Sequence, residues 1–124
     1  MNIVSYFWRR SPFIFDQTQR VFNPGFWEEF AKKFSKYCRK EVIDLGCGTG
    51  MFLDFVTPKV YLGIDDNPFY IKYARKKKRK NTISFFCQNI VSFSTGKKFE
   101  TVLLVSVAHH LTDKSLKKTL SNLK

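Results

Sequence analysis

The chain has 124 residues, a hydrophobic fraction of 44% and a formal net charge of +12. This length fits a single domain, and the 17% aromatic content excludes wholesale disorder, which requires low hydrophobicity. So large a positive charge attracts polyanions, but it does not determine the fold. The cysteines have neither paired nor zinc-ligand spacing, so we expect no metal site and a reducing, cytoplasmic location for Cys38, Cys47 and Cys87.

The N-terminal residues 1–22 mix aromatic and basic side chains without a regular period, and we interpret them as an arm that packs over the rest of the chain. Arg9 and Arg10 interrupt the first apolar run too early for a signal sequence or a membrane span, so we expect no membrane association. Asn23 and Pro24 form a typical helix start. Aromatic residues at spacings of three and four then predict an amphipathic helix with an inner face of Phe26, Trp27, Phe30, Phe34 and Tyr37.

From residue 41 onward, short β-branched runs alternate with helical stretches, so we predict one domain over residues 23–124. The predicted strands are 41–45, 60–64, 83–87 and 101–107, of which the last is apolar enough to be buried on both faces. The predicted helices are 51–56, 69–80 and 113–123, the last capped by Thr112. This alternation is typical of an α/β fold with a parallel sheet and helices on both faces.

A glycine-rich loop, Asp44-Leu45-Gly46-Cys47-Gly48-Thr49-Gly50, directly follows the first predicted strand. Its glycines allow a tight turn and close approach of the backbone to a ligand, at the end of the strand where open α/β sheets bind nucleotides. A turn that only connects a strand to a helix is the alternative, and three spaced glycines after an acidic residue argue against it. A dinucleotide loop, G-x-G-x-x-G, would need its third glycine at position 51 or 53, which are Met51 and Leu53.

The pattern D-x-G-x-G-x-G instead resembles motif I of class I S-adenosylmethionine-dependent methyltransferases. The resemblance implies a Rossmann-like sheet with strands in the order 3-2-1-4, which further strands extend in complete members of that family. It implies S-adenosylmethionine as the cofactor and Asp44 as the residue that orients the cofactor's amino group. It also implies that the loop embraces the methionine part of the cofactor through Gly46, Cys47, Gly48 and Gly50.

Two further segments match the family in order. Asp65 ends the second predicted strand, 15 residues after Gly50, where a carboxylate can accept hydrogen bonds from both ribose hydroxyls. Asp66 takes this role if the strand is shifted by one residue. Asn89, followed by Ile90, stands where the family usually carries an acidic residue that accepts from the adenine amino group. An amide oxygen can accept the same bond without the charge.

The segment from Phe99 to Leu111 resembles the fourth-strand motif of the type 11 methyltransferases, which often ends in paired histidines. The resemblance implies Val105 as a cofactor contact and His109 and His110 as candidate catalytic residues. Adjacent histidines cannot both ligate one metal from a helix or strand. They are either a structural pair or a pair in which one imidazole serves as a base or a substrate orienter near the transferring methyl.

These observations predict methyl transfer to a small molecule or, because of the charge, to RNA. The basic run at 75–80 is either a solvated helix end or an RNA contact. Two alternatives remain, a non-catalytic cofactor-binding or interaction subunit that needs a partner chain, and a basic nucleic-acid-binding module. The chain ends where a fifth strand would follow, so we expect the fourth strand to have an apolar edge that is unpaired within this chain. We expect a second copy or a complementing subunit to cover that edge.

Overall fold

The computed structural model describes residues 3–77, 80–105 and 107–123. Its centre is one sheet of four parallel strands in the order β3-β2-β1-β4, which confirms the predicted Rossmann-like arrangement. The strands are β1 (Glu41–Leu45), β2 (Val60–Asp65), β3 (Ile83–Cys87) and β4 (Thr101–Leu103). Because all pairs are parallel, the carboxyl ends of the strands meet at one edge of the sheet.

Five α-helices surround the sheet in the described residues: α1 (Ile3–Arg10), α2 (Pro12–Phe22), α3 (Phe26–Phe34), α4 (Pro68–Arg75) and α5 (Asp113–Ser121). Alternate residues of β1 supply the two faces of the core, as expected for a strand covered on both sides. Val42 belongs to an apolar cluster with Tyr61, while Ile43 and Leu45 belong to a second cluster with Ile64. All five side chains are completely buried, so β1 is the structural centre of the domain.

The N-terminal segment forms α1 and α2, which the sequence pattern did not predict. Both helices lie against α4. The Tyr70 hydroxyl donates to the carbonyl oxygen of Trp8 (3.0 Å), and the Asn67 side chain donates to that of Arg9 (2.9 Å). Several of their apolar side chains remain exposed, such as Ile3 at 72% and Phe22 at 76%.

Helix α3 begins later than predicted. Asn23 does not start it but ends α2, donating its backbone N–H to the carbonyl oxygen of Gln19 (2.9 Å), and Gly25 precedes the first helical residue. Trp27 packs against the core as predicted. The predicted inner face is only partly buried, because three of its aromatic side chains are more than 40% exposed, namely Phe26, Phe34 and Tyr37.

Three other predicted helices are shorter in the structure. The segment predicted at 51–56 is a 3-10 helix, Met51–Asp54, and α4 and α5 end at Arg75 and Ser121. Residues 78 and 79, at the predicted end of α4, lie outside the described residues. Thr112 caps α5 as predicted, because its Oγ1 accepts the Ser115 N–H (3.1 Å).

The prediction for β4 was wrong in length and burial. The strand covers Thr101–Leu103 rather than 101–107, and Val102 is 40% exposed. Residue 106 lies outside the described part of the chain. β4 pairs only with Val42–Asp44 of β1, and no described residue pairs with its outer edge. An apolar sequence indicates burial, but residues form a strand only where a neighbouring strand accepts and donates their backbone hydrogen bonds.

Candidate functional site

Two neighbouring pockets, which we call the inner and outer lobes of the candidate site, share part of their walls at the carboxyl ends of β1 and β2. The inner lobe, of about 310 Å³, lies between the glycine loop and helices α2 and α3, and the outer lobe, of about 400 Å³, lies between the loops after β2, β3 and β4. Four residues line both lobes and mark their junction: Gly46, Asp65, Val107 and His110. Two larger clefts, near 550 and 590 Å³, lie elsewhere on the sheet, along β2 and β3 and along β4.

Backbone hydrogen bonds fix the glycine loop at the end of β1. The N–H groups of Gly46 and Cys47 both donate to the carbonyl oxygen of Ile64 (2.7 and 3.0 Å), which ties the loop to β2. Gly46 has φ +78°, and a Cβ added there would overlap the Cγ2 atom of Val107. Gly48 has φ +56° and faces open space. The loop therefore needs glycine for packing at one position and for conformation at both.

Asp65 connects β2 to the glycine loop. Its Oδ2 accepts the Gly48 N–H (2.8 Å), and its Oδ1 accepts the Asn67 N–H (2.9 Å). Burial raises the pKa of Asp65, and these two hydrogen bonds act against that rise. Each carboxylate oxygen keeps a further lone pair for a ligand. Asp66 is exposed and lines only the outer lobe, so the geometry favours Asp65 as the residue at the junction.

Asp44 is a buried carboxylate on the wall of the inner lobe, with 4% of its surface exposed. Its Oδ2 accepts a hydrogen bond from the Tyr61 hydroxyl (2.6 Å). Burial raises the pKa of Asp44 to about 6, the Tyr61 hydrogen bond opposes this shift, and the nearby Asp65 adds to it. At neutral pH the inner lobe therefore carries negative charge, which attracts a cationic group and repels an anionic one.

The outer lobe contains Asn89, which was predicted to bind the adenine, and Ile90, which was predicted as a cofactor contact. Asn89 is exposed, and its Oδ1 accepts the Val91 N–H (2.8 Å), so this oxygen already holds its own loop in place. One lone pair remains for a ligand. Ile90 is half-buried and packs against the core cluster around Ile43. Arg9 of α1 also lines this lobe.

The two histidines lie in a 3-10 helix, Ala108–His110, with their ring centroids 3.9 Å apart. His110 reaches the junction of the lobes, whereas neither His109 nor Gly50 is among the described residues that line the cavity. Gly50 instead packs against the ring of Phe85. The other predicted residues line one or both lobes: Asp44, Gly46, Cys47, Gly48, Asp65, Asp66, Asn89, Ile90 and Val105.

Sequence reasoning missed the residues that close the inner lobe. They come from the helices outside the sheet and are Phe15, Gln19, Trp27 and Tyr70. The helical period of α3 gave a signal for the burial of Trp27, but not for its place in a cavity. Burial also raises the pKa of the Cys47 thiol well above its usual range, so this cysteine lines the lobe as a neutral group.

A charged network holds α2 over the glycine loop. The Thr49 hydroxyl donates to the buried carboxylate of Asp16, and Lys77 lies 3.7 Å from Asp16 and 3.3 Å from Asp54. Arg75 donates twice to the carbonyl oxygen of Phe85, at 3.1 and 3.2 Å. Two cations of the basic run are thus engaged within the fold, while Lys78 and Arg79 lie outside the described residues.

The cavity has features that suit a ligand with cationic and hydrogen-bond-donating groups. It offers two carboxylates near one loop and a glycine that leaves its surface open. No group of three potential metal ligands occurs within residues 3–77, 80–105 and 107–123. Nor does any helix in these ranges have the length and hydrophobicity to cross a membrane.

Comparison with known proteins identifies relatives of both sequence and fold. Protein GWCH70_2453 of Geobacillus sp. (strain WCH70), which carries a methyltransferase name, is 29% identical over 107 residues, covering 78% of this chain and 43% of the relative. The N-methyltransferase NodS of Bradyrhizobium japonicum WM9 has a TM-score of 0.66 at 22% identity, with 82% of this chain and 62% of NodS covered.

CalS10, an amino pentose methyltransferase from Micromonospora echinaspora solved with bound S-adenosylmethionine, has a TM-score of 0.72 at 18% identity, with 89% of this chain and 50% of CalS10 covered. The chain thus spans about half the length of these proteins. The family model described as "Methyltransferase domain" matches residues 42–124, which include the glycine loop, Asp65 and the histidine pair. This chain belongs to that methyltransferase domain family.

Proposed function

We propose that the two-lobed cavity binds S-adenosylmethionine and that the chain is the cofactor-binding part of a methyltransferase. The observation that carries the proposal is the pair of carboxylates, Asp44 and Asp65, at the ends of adjacent strands and beside the glycine loop. Both belong to one cavity, and both lie where open α/β sheets bind their ligands. The bound cofactor supplies a methyl group on a sulfonium, already activated for in-line displacement.

The two lobes separate the parts of the cofactor by their chemistry. In the inner lobe, Asp44 accepts from the ammonium group of the methionine part, and its charge favours the nearby sulfonium. At the junction, the free lone pairs of Asp65 accept from the ribose hydroxyls. The outer lobe receives the adenine beside Ile90, with Asn89 as a polar neighbour.

The same features argue against a dinucleotide. The carboxylates of Asp44 and Asp65 repel a pyrophosphate, and the loop leads into a 3-10 helix of four residues rather than an α-helix. Dinucleotide folds instead place the pyrophosphate at the N-terminus of an α-helix, where aligned backbone N–H groups attract the anion.

His110 is the better placed of the two candidate catalytic histidines, because it lines both lobes at their junction. We propose that it orients the methyl acceptor or accepts its proton. Positioning alone can contribute roughly 7 kcal/mol or more to a two-reactant step, so the loss of a base would reduce activity without abolishing it. CalS10 is named as an amino pentose methyltransferase, which supports a small-molecule acceptor.

The alternatives receive less support. The family match favours a methyltransferase over a non-catalytic interaction subunit. In the basic run, Lys77 is paired with Asp16 and Asp54, and Arg75 donates to the carbonyl oxygen of Phe85, whereas Lys76 and Lys80 are exposed. Neutralising Lys77 would therefore disturb the fold near the glycine loop, and it is a poor test of RNA binding.

Titration calorimetry of the purified chain with S-adenosylhomocysteine and with NAD tests the proposal. We expect binding of S-adenosylhomocysteine and none of NAD. Asp65→Ala should weaken the binding by about 1.5–3 kcal/mol, the scale of hydrogen bonds to a charged group. Asp66→Ala is the matched control and should change it little. Binding of NAD alone would contradict the proposal, and a larger effect of Asp66→Ala would contradict the assignment of the ribose carboxylate.

A further inference from the structure

Helix α2 forms one side of the inner lobe, although most of its apolar side chains point away from the core. Of its residues, all of which the structure describes, only Asp16 is buried, whereas Phe13, Val21 and Phe22 are more than 60% exposed. No residue of α2 belongs to either apolar core cluster of the described chain. The hydrophobic effect therefore holds this helix weakly, and its polar contacts become decisive for its position.

The polar contact that reaches the glycine loop is the one between Asp16 and Thr49. The Thr49 hydroxyl donates to Asp16 Oδ1, and the two residues are 1% and 4% exposed, respectively. Burial raises the pKa of Asp16, while the Thr49 hydrogen bond and the nearby Lys77 act against this rise. A buried carboxylate is costly unless it is paired and hydrogen-bonded, so its partners determine where it lies. Because hydrogen bonds are directional, this bond fixes both the distance and the orientation between α2 and the loop.

Asp16 adjoins the two residues of α2 that line the inner lobe. Phe15 precedes it, Gln19 follows about one helical turn later, and both are half-buried. We call these two residues the α2 wall. A second ion pair of α2, from Arg20 to Asp54, is part-exposed and contributes little to the position of the helix.

Resting on the function proposed above, we propose that Asp16 is a positioning residue for cofactor binding, whose hydrogen bond to Thr49 holds the α2 wall against the glycine loop. Asp16 is not among the described residues that line either lobe, so it acts through Phe15 and Gln19. No described residue of α2 lines the outer lobe. The effect of Asp16 is therefore confined to ligands that enter the inner lobe.

Two ligands and a matched pair of variants separate this role from a general effect on the fold. S-adenosylhomocysteine reaches both lobes, whereas 5′-methylthioadenosine lacks the amino-acid chain that enters the inner lobe. Asp16→Leu removes the acceptor of the Thr49 hydroxyl and keeps the branching of the side chain. Asp54→Leu is the matched control, because Asp54 is the other carboxylate paired with Lys77 and is not among the described residues that line either lobe.

Calorimetry should show that Asp16→Leu weakens S-adenosylhomocysteine about tenfold or more, because the α2 wall loses a charge-assisted hydrogen bond. The affinity for 5′-methylthioadenosine should stay within about twofold, and Asp54→Leu should leave both affinities within that range.

The double variant Asp16→Leu/Thr49→Val separates positioning from stability. It replaces both partners by apolar groups of the same branching, which leaves no buried polar group unpaired. We expect it to be more stable to urea than Asp16→Leu alone and to bind S-adenosylhomocysteine no more tightly. If the affinity returned together with the stability, Asp16 would have a structural role only, and the inference would be overturned.

Hydrogen exchange of the wild type provides a readout that needs no variant. At equal saturation, S-adenosylhomocysteine should slow the exchange of the α2 amides more than 5′-methylthioadenosine does, because only the first ligand contacts the α2 wall. The amides of β1 serve as the reference, since both ligands should protect them alike.

Equal protection of α2 by the two ligands would overturn the inference and leave the proposed function intact. Equal weakening of both ligands by Asp16→Leu would also overturn it, because Asp16 would then support the fold as a whole. An effect of Asp54→Leu as large as that of Asp16→Leu would assign the role to the pairing of Lys77 rather than to the Thr49 bond. Wild-type protein that binds neither ligand would overturn both this inference and the proposed function.

Discussion

The two edges of β1 differ in how completely they pair with the neighbouring strand. Towards β2, all five residues of β1 pair with a neighbour, and Asp44 and Asp65 hold hydrogen bonds at the strand ends. Towards β4, only three residues pair, and Val102 is 40% exposed. On one side the pairing of β1 is complete, whereas on the other β4 has an outer edge with which no described strand pairs.

We relate the two sides of β1 to two parts of the proposed reaction, cofactor binding and methyl transfer. The glycine loop, both carboxylates and the outer lobe lie on the β2 side. We expect cofactor binding to depend on this side, because buried backbone hydrogen bonds hold the loop there. The loop after β4 leads to His110, and β4 itself borders the exposed aromatic side chains of α3. The known relatives are about twice as long. We therefore expect cofactor binding to be a property of this chain, and methyl transfer to depend on what adjoins β4.

We expect the largest effects on the β2 side from substitutions of Gly46 and Gly48. Gly46→Ala puts a methyl group into the space of Val107 and strains a residue at φ +78°. We expect it to lower the free energy of unfolding by about 2–4 kcal/mol, from overpacking and left-handed strain together. Gly48→Ala should lower the free energy of unfolding by only about 1–2 kcal/mol, because the residue has φ +56° but its added methyl group meets open space. Urea denaturation measures both values.

Gly46→Ala should also abolish detectable binding of S-adenosylhomocysteine, because Gly46 lines the junction of the lobes. Equal losses of stability in the two variants would show that packing against Val107 does not matter. The contrast between a packed and an open glycine would then be wrong, and only the backbone conformation would explain both residues.

Asp44 gives a second test, in which stability and binding should move in opposite directions. Its pKa is about 6 in the folded state against 3.8 in the unfolded chain. Between these values the folded state binds more protons, so the free energy of unfolding falls as pH rises through this window and stays lower above it. Asp44→Asn removes the buried charge, and we expect a gain of about 1 kcal/mol at pH 7.5.

The same substitution should weaken S-adenosylhomocysteine by about 1.5–3 kcal/mol, since the ammonium loses a charged acceptor. In the wild type, affinity should rise with pH from 4 towards 7, while in Asp44→Asn this part of the pH dependence should disappear. Thermal denaturation and calorimetry across this range provide both readouts. A variant that is less stable and binds as tightly as the wild type would assign Asp44 to the fold alone.

How much of the molecule the sequence predicts depends on how local each signal is. Asp44, Gly46 and Asp65 are predictable because the ends of parallel strands meet at one edge whatever surrounds them. Trp27 is predictable as a buried residue but not as a cavity wall, since that depends on how α3 packs on Phe52. Helices α1 and α2 were not predicted although their apolar residues do favour one helical face, and several of those residues are exposed.

The fourth strand shows the opposite error. The apolar run at 101–107 predicted a buried strand, yet only Thr101–Leu103 pairs with β1. Hydropathy reports what a segment would bury, but its structure depends on a neighbour that the sequence pattern does not contain. The largest errors therefore fall at the N-terminal helices and at β4.

The smallest expected effect on folding comes from a charge at the edge of β4. The unpaired backbone groups of this edge lie beside the exposed aromatic side chains of Phe26, Phe34 and Tyr37. We therefore expect two copies of the purified chain to associate through it. Val102→Lys places a charge on the edge strand and should shift the chain to monomer in light scattering. Its free energy of unfolding should change by less than about 1 kcal/mol, because Val102 is already part-exposed.

Val21→Lys is the matched control, since Val21 is 71% exposed on α2 and the added charge is the same. If it disperses the chain as well as Val102→Lys does, the effect is general repulsion from a net charge raised above +12, and the edge has no special role. S-adenosylhomocysteine affinity should be unchanged in both variants, because neither residue lines the cavity. A wild-type monomer that stays dispersed at high concentration and transfers methyl groups would show that the β4 edge needs no cover, and the contrast between the two sides of β1 would then lie in local structure without consequence for activity.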